Sequence, residues 1–458
     1  MNRVILFIIL ITGALLPFHN LIIKSIGSHH IVFWKEAFII VAFYLACLGI
    51  LKSRSKLKIL SDKINMPIFI FIFFAAFSTV LHPNLLSLRG FLGYVLYCLI
   101  YIILITHINI KQVNLMLNIL LFIGLILGLG ALLQIFLSPE ITHSTRLHFL
   151  PEEGIIRTGS LMGGSPIVLG GYLGLLFPIA FALCSVKTKK YVFIIYLGIT
   201  VAILSGILLS FSRAAYFQLV ISVLAIIFFS YKYKLNKSKL KQLISVILIF
   251  LIILMVGNSI FLNNFLNLKI FFNRFFSFLD FDTGTIDTVR VIRWKTTISF
   301  IFEDLNFILG GGPGVGWHFG TYDIKDVSPL YQKLSNSSAG DPSPESFFLL
   351  IMADLGIFGF ITFFFIYWKF IFYGIWLIKY YRSKDLKLAS ICTGVTSALI
   401  GLFPSLCFSI ILTSWPCIFL FWFFISIITT LYQHTHSQQF SLMAYKEKNL
   451  QHNRSVCL

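Results

Sequence analysis

Long apolar runs recur along almost the whole chain of 458 residues, and they constrain its fold more than any other feature. A transmembrane helix needs about 20 mostly apolar residues, and a water-soluble protein cannot bury so many runs of that length. The runs therefore predict an all-α polytopic membrane protein with about 12 transmembrane helices. The predicted spans cover residues 4–18, 31–50, 66–81, 89–106, 113–137, 166–185, 190–210, 214–230, 242–261, 346–368, 388–404 and 408–431.

The composition excludes several classes of protein. Hydrophobic residues make up 58% of the chain and charged residues 12%, whereas soluble domains are usually about half apolar and a quarter charged. This balance excludes a soluble enzyme and a disordered chain. The 7 cysteines are scattered without a CxxC pair, so the sequence predicts neither a metal site nor a disulfide framework.

The positive charge is concentrated in alternate loops between the predicted spans. The chain has 36 Lys and Arg against 17 Asp and Glu, which gives a formal net charge of +19. In a soluble domain such an excess points to nucleic acid, but in a membrane protein basic loops mark the cytoplasmic side. We therefore expect no nucleic-acid partner, contact with membrane lipids, and both termini in the cytoplasm.

The predicted spans divide the chain into four parts. Residues 1–261 contain the first nine spans, and residues 262–345 form a large external loop before the last three spans. Residues 346–431 contain those three spans, and residues 432–458 form a cytoplasmic tail. We expect function in the large loop, because long ordered loops often carry binding and catalytic residues.

Two arginines lie beside small residues at the predicted external edge of the membrane. Arg157 precedes a Gly- and Ser-rich entry to the sixth span, and Arg213 lies in S-F-S-R-A-A between two apolar runs. An arginine at this depth is a functional candidate, because its guanidinium can bind two phosphate oxygens at once. The alternative for both is a membrane-edge anchor whose side chain reaches the lipid headgroups.

Two further arginines lie in the large loop. Apolar residues at helical spacing over residues 283–298 predict an amphipathic helix. Arg290 and Trp294 are four residues apart and share one face of this helix, whereas Arg293 is expected to point elsewhere. Both arginines are candidates for substrate binding, and the alternative is anchoring of the helix at the membrane interface.

The segment L-G-G-G-P-G-V-G-W-H-F-G covers residues 309–320. It is not a Walker A loop, because no Gly-Lys-Ser/Thr follows. Gly314 and Gly316 are candidates for binding phosphate through their backbone N–H groups, and the alternative is a tight surface turn. His318 is a candidate base, and the alternative is a hydrogen-bonded structural histidine.

Glu345 lies where the loop re-enters the membrane at the start of the tenth span. It is a candidate general base, and the alternative is a carboxylate stabilised by the helix dipole. Asp354 lies further into the same span and needs a partner or a polar cavity.

In this order, these blocks resemble those of the O-antigen ligase and O-antigen polymerase superfamily of bacterial envelope glycosyltransferases. The resemblance covers about residues 150–365. The matching blocks are Arg157 with G-S-L-M-G-G-S-P, S-F-S-R-A-A around Arg213, Arg290 and Trp294 running into L-G-G-G-P-G-V-G, and P-E-S-F-F-L-L-I-M-A-D-L-G-I-F-G.

The resemblance implies an enzyme of the bacterial inner (plasma) membrane with its active site on the periplasmic side. Such enzymes transfer a glycan from undecaprenyl pyrophosphate to a sugar hydroxyl and need no nucleotide sugar, cofactor or metal. Ligases of the family carry a His where this chain has Glu345, which favours a polymerase. The implied partners are the lipid-linked glycan, a chain-length regulator and a flippase.

A hypothesis that suits both a polymerase and a ligase gives the candidate residues roles in an inverting displacement. The predicted catalytic residues are Glu345 or His318 as the base and Arg213 as the group that stabilises the leaving diphosphate. The predicted substrate-binding residues are Arg157, Arg213, Arg290, Arg293, Gly314 and Gly316.

Other functions stay open on the sequence alone. An O-antigen ligase would transfer the finished glycan to lipid A–core through the same chemistry. Twelve spans with both ends inside also suit a transporter of lipid-linked oligosaccharides or sugars, but transporters often show two related halves. Here the two halves are unlike and the candidate residues gather at one face, which favours an enzyme over a transporter or a scaffold.

Overall fold

A computed structural model gives the architecture of the protein. It describes residues 2–26, 33–136, 148–150, 155–162, 165–186, 190–235, 244, 286–303, 306–316, 330, 332–334 and 344–456. The description is limited to the backbone for residues 24, 54–55, 58, 135–136, 148–150, 155–157, 286–289 and 437–456.

Helices make up almost all of the described structure. They are α1 (Asn2–Leu15), α2 (His19–Ile26), α3 (Trp34–Leu51), α4 (Arg54–Leu60), α5 (Met66–Leu81), α6 (Leu85–His107), α7 (Ile110–Phe136), α8 (Pro166–Cys184), α9 (Lys190–Leu209), α10 (Arg213–Lys232), α11 (Ile286–Ile301), α12 (Asn306–Leu309), α13 (Phe347–Tyr381), α14 (Leu386–Phe408) and α15 (Trp415–Val456). Short 3-10 turns cover Leu16–Phe18, Ser160–Met162 and Ile411–Thr413. Two three-residue strands, β1 (His148–Leu150) and β2 (Ile155–Arg157), pair antiparallel with His148 opposite Arg157.

The prediction of an all-α polytopic membrane protein is confirmed. In the described part of the chain, 10 helices are long and apolar enough to cross a membrane, and the apolar helix Met66–Leu81 is shorter. Together they account for eleven of the twelve predicted spans, and the remaining one, 242–261, lies outside the described residues except for residue 244. The last helix continues well beyond the predicted end of its span, to Val456.

Short polar side chains set where several helices begin. At the start of α14, the carboxylate of Asp385 accepts hydrogen bonds from the N–H groups of Lys387 (2.8 Å) and Leu388 (3.1 Å). At the start of α6, the side chain of Asn84 accepts one from the N–H of Ser87 (2.7 Å). Such caps stabilise a helix because its first N–H groups have no partner within the helix.

Helix α13 bends at Gly356, whose φ of +66° and ψ of −169° are not helical. The bend brings the backbone of α12 close to the helix. A Cβ at Gly356 would lie 2.3 Å from the carbonyl oxygen of Ile308, and a Cβ at Gly310 would lie 2.3 Å from that of Asp354. Glycine is therefore required at both positions for the glycine-rich loop to pack against α13.

Helices α8, α10 and α14 pack closely at the centre of the bundle. A Cβ at Gly401 of α14 would lie 1.9 Å from the Ser222 hydroxyl of α10, and one at Gly394 would lie 2.7 Å from the Cα of Ile179 in α8. Small residues allow transmembrane helices to approach in this way. At one end of the bundle, α8 and α10 begin and α14 ends, and this is where the candidate site lies.

Candidate active site

A cleft lies where the ends of these helices meet the start of α13. It holds about 570 Å³ of empty space, part of which is open to solvent. It brings together three residues that the sequence predicts as functional, Arg213, Arg290 and Glu345, although they are far apart in the chain. The cleft is lined by Ile167, Phe211, Ser212, Arg213, Ala214, Phe217, Arg290, Glu345, Phe408 and Ser409.

Glu345 is the centre of the charged group in this cleft. Its Oε1 lies 2.5 Å from Nη1 of Arg293, and its Oε2 lies 3.6 Å from Nη2 of Arg290. The side chain of Arg293 is 9% exposed, that of Arg290 is 20% exposed and that of Glu345 is 26% exposed. The inner arginine therefore holds the carboxylate, while the outer arginine and the carboxylate itself stay accessible from the cleft.

The expectation that Arg293 points away from Arg290 is wrong. The two residues are three positions apart on α11, and such residues are neighbours on a helix surface. Both guanidiniums reach the same carboxylate because Glu345 approaches α11 from the chain segment just before α13.

Arg213 is the first residue of α10, and the residue before it caps the helix. The hydroxyl of Ser212 accepts a hydrogen bond from the N–H of Ala215 (3.4 Å). The guanidinium is thus attached to the positive end of the helix dipole, which also favours an anion. This wall of the cleft combines a side-chain charge and a helix terminus of the same sign.

The backbone is strained on two sides of the cleft. Among the described residues, four that are not glycine have a positive φ, and two of these line the cleft: Phe211 at +45° and Glu345 at +55°. Non-glycine residues adopt this conformation at a cost, and such strain collects at functional sites. Glu345 lies one residue before the cap of α13, where the hydroxyl of Ser346 accepts a hydrogen bond from the N–H of Leu349.

An aromatic contact fixes α11 against the bundle. The ring of Trp294 lies 5.8 Å from that of Phe408, the last residue of α14. Phe408 lines the cleft, whereas Trp294 is not among the lining residues. The sequence does not predict Phe408 and Ser409 as site residues, because nothing but an apolar run marks their position in the chain.

The glycine-rich loop does bind a carboxylate, but one from the protein itself. The N–H groups of Gly314 and Gly316 donate to the Asp354 side chain at 2.9 Å and 3.1 Å. The Tyr94 hydroxyl donates to the same carboxylate at 2.9 Å, and Asp354 is 0% exposed. These contacts supply the partner that Asp354 needs inside a span, and we call this set of residues the Asp354 clamp.

The Asp354 clamp is reinforced by the backbone on both sides. The hydroxyl of Ser78 donates to the carbonyl oxygens of Leu309 (3.2 Å) and Asp354 (3.1 Å). The N–H of Gly311 donates to the carbonyl oxygen of Ala353 (2.7 Å). Loop and helix are therefore joined to α5 as one unit. Binding of substrate phosphate by Gly314 and Gly316 stays a prediction, since both amides already have a partner here.

Two other predicted site residues fall where side chains are not described. Arg157 lies in β2, for which only the backbone is described, and His318 lies outside the described residues. Their predicted roles in substrate binding and catalysis stay predictions. Within the ranges that the structure describes, three or more His, Cys, Asp or Glu side chains do not come together as they would around a metal ion.

One comparison with known families matches a segment that carries most of the cleft's charged residues. The family model described as O-antigen ligase matches residues 198–364. The matched segment includes α10, α11, α12 and the first half of α13, and so carries Arg213, Arg290, Arg293, Glu345 and Asp354. A search of the curated proteins found no match. Residues 198–364 are therefore similar to the O-antigen ligase family.

Proposed function

We propose that the protein is a glycosyltransferase of the bacterial inner membrane that polymerises repeat units carried on undecaprenyl pyrophosphate. The product would be O-antigen or a related surface polysaccharide. The proposal is carried by the cleft, in which two arginines of α11 contact one carboxylate and Arg213 of α10 lines the same space, at one end of a membrane-spanning bundle. The match to the O-antigen ligase family supports the same class of chemistry.

The arginines suit a diphosphate leaving group. Arg213 and Arg290 both line the cleft, and a guanidinium can hold two phosphate oxygens in a fixed geometry. When the bond between the anomeric carbon and the diphosphate breaks, its electron pair leaves with the diphosphate. Arg213 would stabilise the charge that grows in that step, and a fixed positive group is most effective where water is partly excluded. Arg290 would bind the diphosphate equally before and during the step.

Glu345 is the proposed general base. An acceptor sugar hydroxyl attacks the anomeric carbon, the new carbon–oxygen bond forms, and the hydroxyl proton passes to the carboxylate. Arg293 keeps the carboxylate in place through its 2.5 Å contact, and the exposed part of Glu345 faces the incoming acceptor. A single displacement inverts the anomeric configuration and needs no covalent intermediate, cofactor or metal. His318 remains the second candidate for the base.

The orientation of the protein belongs to the same proposal. The cleft would face the periplasm, where lipid-linked repeat units are joined, and both termini would lie in the cytoplasm. A flippase would deliver the repeat units and a chain-length regulator would set the length of the polymer. A reporter that is active only in the cytoplasm, fused after Leu458, checks the position of the C-terminus.

The second candidate is an O-antigen ligase, which the description of the matched family favours. A ligase uses the same donor and the same leaving group, so Arg213 and Arg290 would keep their roles. The two activities differ in the acceptor, which is a lipid-linked repeat unit for a polymerase and lipid A–core for a ligase.

Deletion of the gene in its native strain, followed by gel analysis of the lipopolysaccharide, tests the proposal. Core with one repeat unit and no ladder would identify a polymerase. Core without any repeat unit, together with long lipid-linked polymer, would identify a ligase. If neither the lipopolysaccharide nor any other envelope glycan changed, the glycosyltransferase proposal would be wrong.

Complementation of the deletion strain connects the phenotype to the cleft. Wild-type protein should restore the ladder and Arg290→Ala should not, because its guanidinium lines the cleft. Lys295→Ala is the matched control, since Lys295 lies on the exposed side of the same helix and outside the cleft lining. Equal loss with both variants would show that the effect comes from α11 as a whole and not from the cleft.

A further inference from the structure

Beneath the cleft, buried side chains with unpaired polar atoms lie between α8, α10 and α14. Gln218 is 0% exposed, and in the described part of the chain neither its amide oxygen nor its amide nitrogen has a hydrogen-bond partner. The buried hydroxyls of Ser222 and Ser397 also have no partner among those residues. Burial of unpaired amides is costly, and native proteins nearly always satisfy such groups with protein or with water.

These polar groups face one another across the three helices. A Cβ at Gly174 of α8 would lie 2.9 Å from Cδ and 3.0 Å from Oε1 of Gln218 in α10. Ser222 is one turn further along α10, and its hydroxyl faces Gly401 of α14. Ser397 precedes Gly401 by one turn, which places it on the same face of α14. Because the two glycines have no side chains, the polar side chains of Gln218 and Ser222 lie directly against the backbones of α8 and α14.

Two prolines add backbone acceptors to the same region. Pro178 lies inside α8 and Pro404 lies inside α14. Since proline has no N–H, the carbonyl groups four residues earlier, at Gly174 and Ile400, lose their usual donor. Gly174 is the residue against which the Gln218 amide packs. Within a membrane, a carbonyl freed in this way needs a neighbouring side chain or an ordered water molecule as its donor.

We propose that Gln218, Ser222, Ser397 and the Gly174 carbonyl form a site that binds water inside the bundle. Water both donates and accepts, so the same molecules can satisfy the amide, the hydroxyls and the carbonyl. An apolar ligand would leave all of these groups unpaired.

The water site lies directly under the walls of the cleft. Each of the three helices around it contributes to the lining: α8 through Ile167, α10 through Arg213 and α14 through Phe408. Gln218 follows Arg213 by five residues, which is about 7.5 Å along a helix. We expect bound water to hold the three helices at the spacing that the cleft requires. This inference does not depend on the proposed function.

The substitution Gln218→Met in the full-length protein, purified in detergent, gives the first test. Methionine has a similar volume but no polar amide. If the site holds water, the substitution leaves the water and the Gly174 carbonyl without partners, and Tm should fall by several degrees. If the site is dry, the substitution removes only an unpaired amide, and Tm should stay the same or rise. That second result would overturn the proposal.

A fall in Tm has a second explanation, because a direct hydrogen bond from the Gln218 amide to the Gly174 carbonyl would also make Gln218→Met destabilising. A structure at a resolution that shows ordered water separates the two explanations. Density for water between Gln218 and α8 or α14 is the expected result. A direct contact without such density would overturn the proposal even if Tm falls.

Discussion

Two carboxylates near the start of α13 have opposite surroundings. Glu345 comes just before the helix, is 26% exposed, and contacts two guanidiniums. Asp354 lies inside the helix, is 0% exposed, and accepts hydrogen bonds from two loop N–H groups and the Tyr94 hydroxyl. The first has long, charged side-chain partners, and the second has neutral partners fixed by the backbone.

This difference in partners predicts a catalytic role for Glu345 and a structural role for Asp354. Arginine side chains can turn from a carboxylate to an anionic ligand, so the partners of Glu345 can change during a reaction. Backbone N–H groups are held in place by the fold of the loop, so the partners of Asp354 change less readily. We therefore expect substitutions at Glu345 to affect activity and substitutions at Asp354 to affect folding.

Glu345→Gln should have the largest effect of all. Glutamine cannot accept the proton of the acceptor hydroxyl, so kcat should fall about 10²- to 10⁴-fold. The amount of folded protein should not change, because the amide still offers an oxygen to Arg293. The rate of polymer formation from purified lipid-linked repeat units measures the first effect, and gel filtration in detergent measures the second.

Glu303→Gln is the matched control for this prediction. Glu303 forms an exposed ion pair with Lys333, and its side chain is 39% exposed. Exposed pairs contribute little to stability, so this variant should behave as the wild type. A loss of folded protein with Glu345→Gln, or an equal loss of activity with both variants, would contradict the assignment of Glu345 as a base.

Asp354→Asn should act on stability instead. Asparagine presents an NH₂ group where the carboxylate accepts a hydrogen bond, so at least one buried N–H or the Tyr94 hydroxyl loses its partner. The free energy of unfolding should fall by about 1.5–3 kcal/mol, the range for hydrogen bonds to a charged group. Unfolding followed by intrinsic fluorescence measures the fall, and the activity of each folded molecule should remain near the wild-type value.

Asp385→Asn provides the control for the same chemical change. Asp385 caps α14 through the N–H groups of Lys387 and Leu388, and Asn caps a helix about as well as Asp. This variant should unfold like the wild type. If Asp354→Asn lost activity without losing stability, the Asp354 clamp would belong to the reaction and the comparison of the two carboxylates would be wrong.

The spans of this fold are readable from the sequence because a membrane imposes a length on each helix. Hydropathy therefore places eleven helices, but it does not show the bend at Gly356 or the length of α15. The bend depends on the approach of α12 to α13, and such a contact between distant segments leaves no periodic signal in the chain.

The cleft is predictable in part for a similar reason. Charged residues at the edge of a membrane are costly, so Arg213, Arg290 and Glu345 stand out by residue type alone. The sequence does not reveal which way Arg293 points or which group the glycine-rich loop contacts. Both depend on a carboxylate about 40 to 50 residues away in the chain. Sequence spacing specifies faces of one helix, and tertiary packing decides what each face meets.

Gly90→Ala should weaken the Asp354 clamp from the opposite side. A Cβ at Gly90 of α6 would lie 2.2 Å from the carbonyl carbon of Pro313, which is in the glycine-rich loop. Backbone cannot give way as easily as a flexible side chain, so the free energy of unfolding should fall by about 1–3 kcal/mol, the usual cost of overpacking. Thermal unfolding in detergent measures the change.

Gly198→Ala in α9 is the control, because a Cβ at Gly198 meets nothing within 4 Å. Alanine is the better helix former by about 1 kcal/mol, so this variant should be as stable as the wild type or more so. If Gly198→Ala were destabilising as well, the bundle would tolerate no added methyl groups. The effect of Gly90→Ala would then not be specific to the Asp354 clamp.

Arg290→Lys and Arg293→Lys should have the smallest effects. They test whether the two arginines beside Glu345 have different functions. Arg293 is the inner residue and positions the carboxylate at 2.5 Å, so Arg293→Lys should lower kcat and leave KM for the donor nearly unchanged. Arg290 is the outer residue at 3.6 Å, and we propose that it binds the diphosphate, so Arg290→Lys should raise KM and leave kcat nearly unchanged. Lysine keeps the charge but lacks the planar fork, so each change should be about tenfold, or about 1.4 kcal/mol. If both variants changed the same kinetic parameter, the two arginines would act as one unit on Glu345, and binding of the diphosphate would have to rest on Arg213.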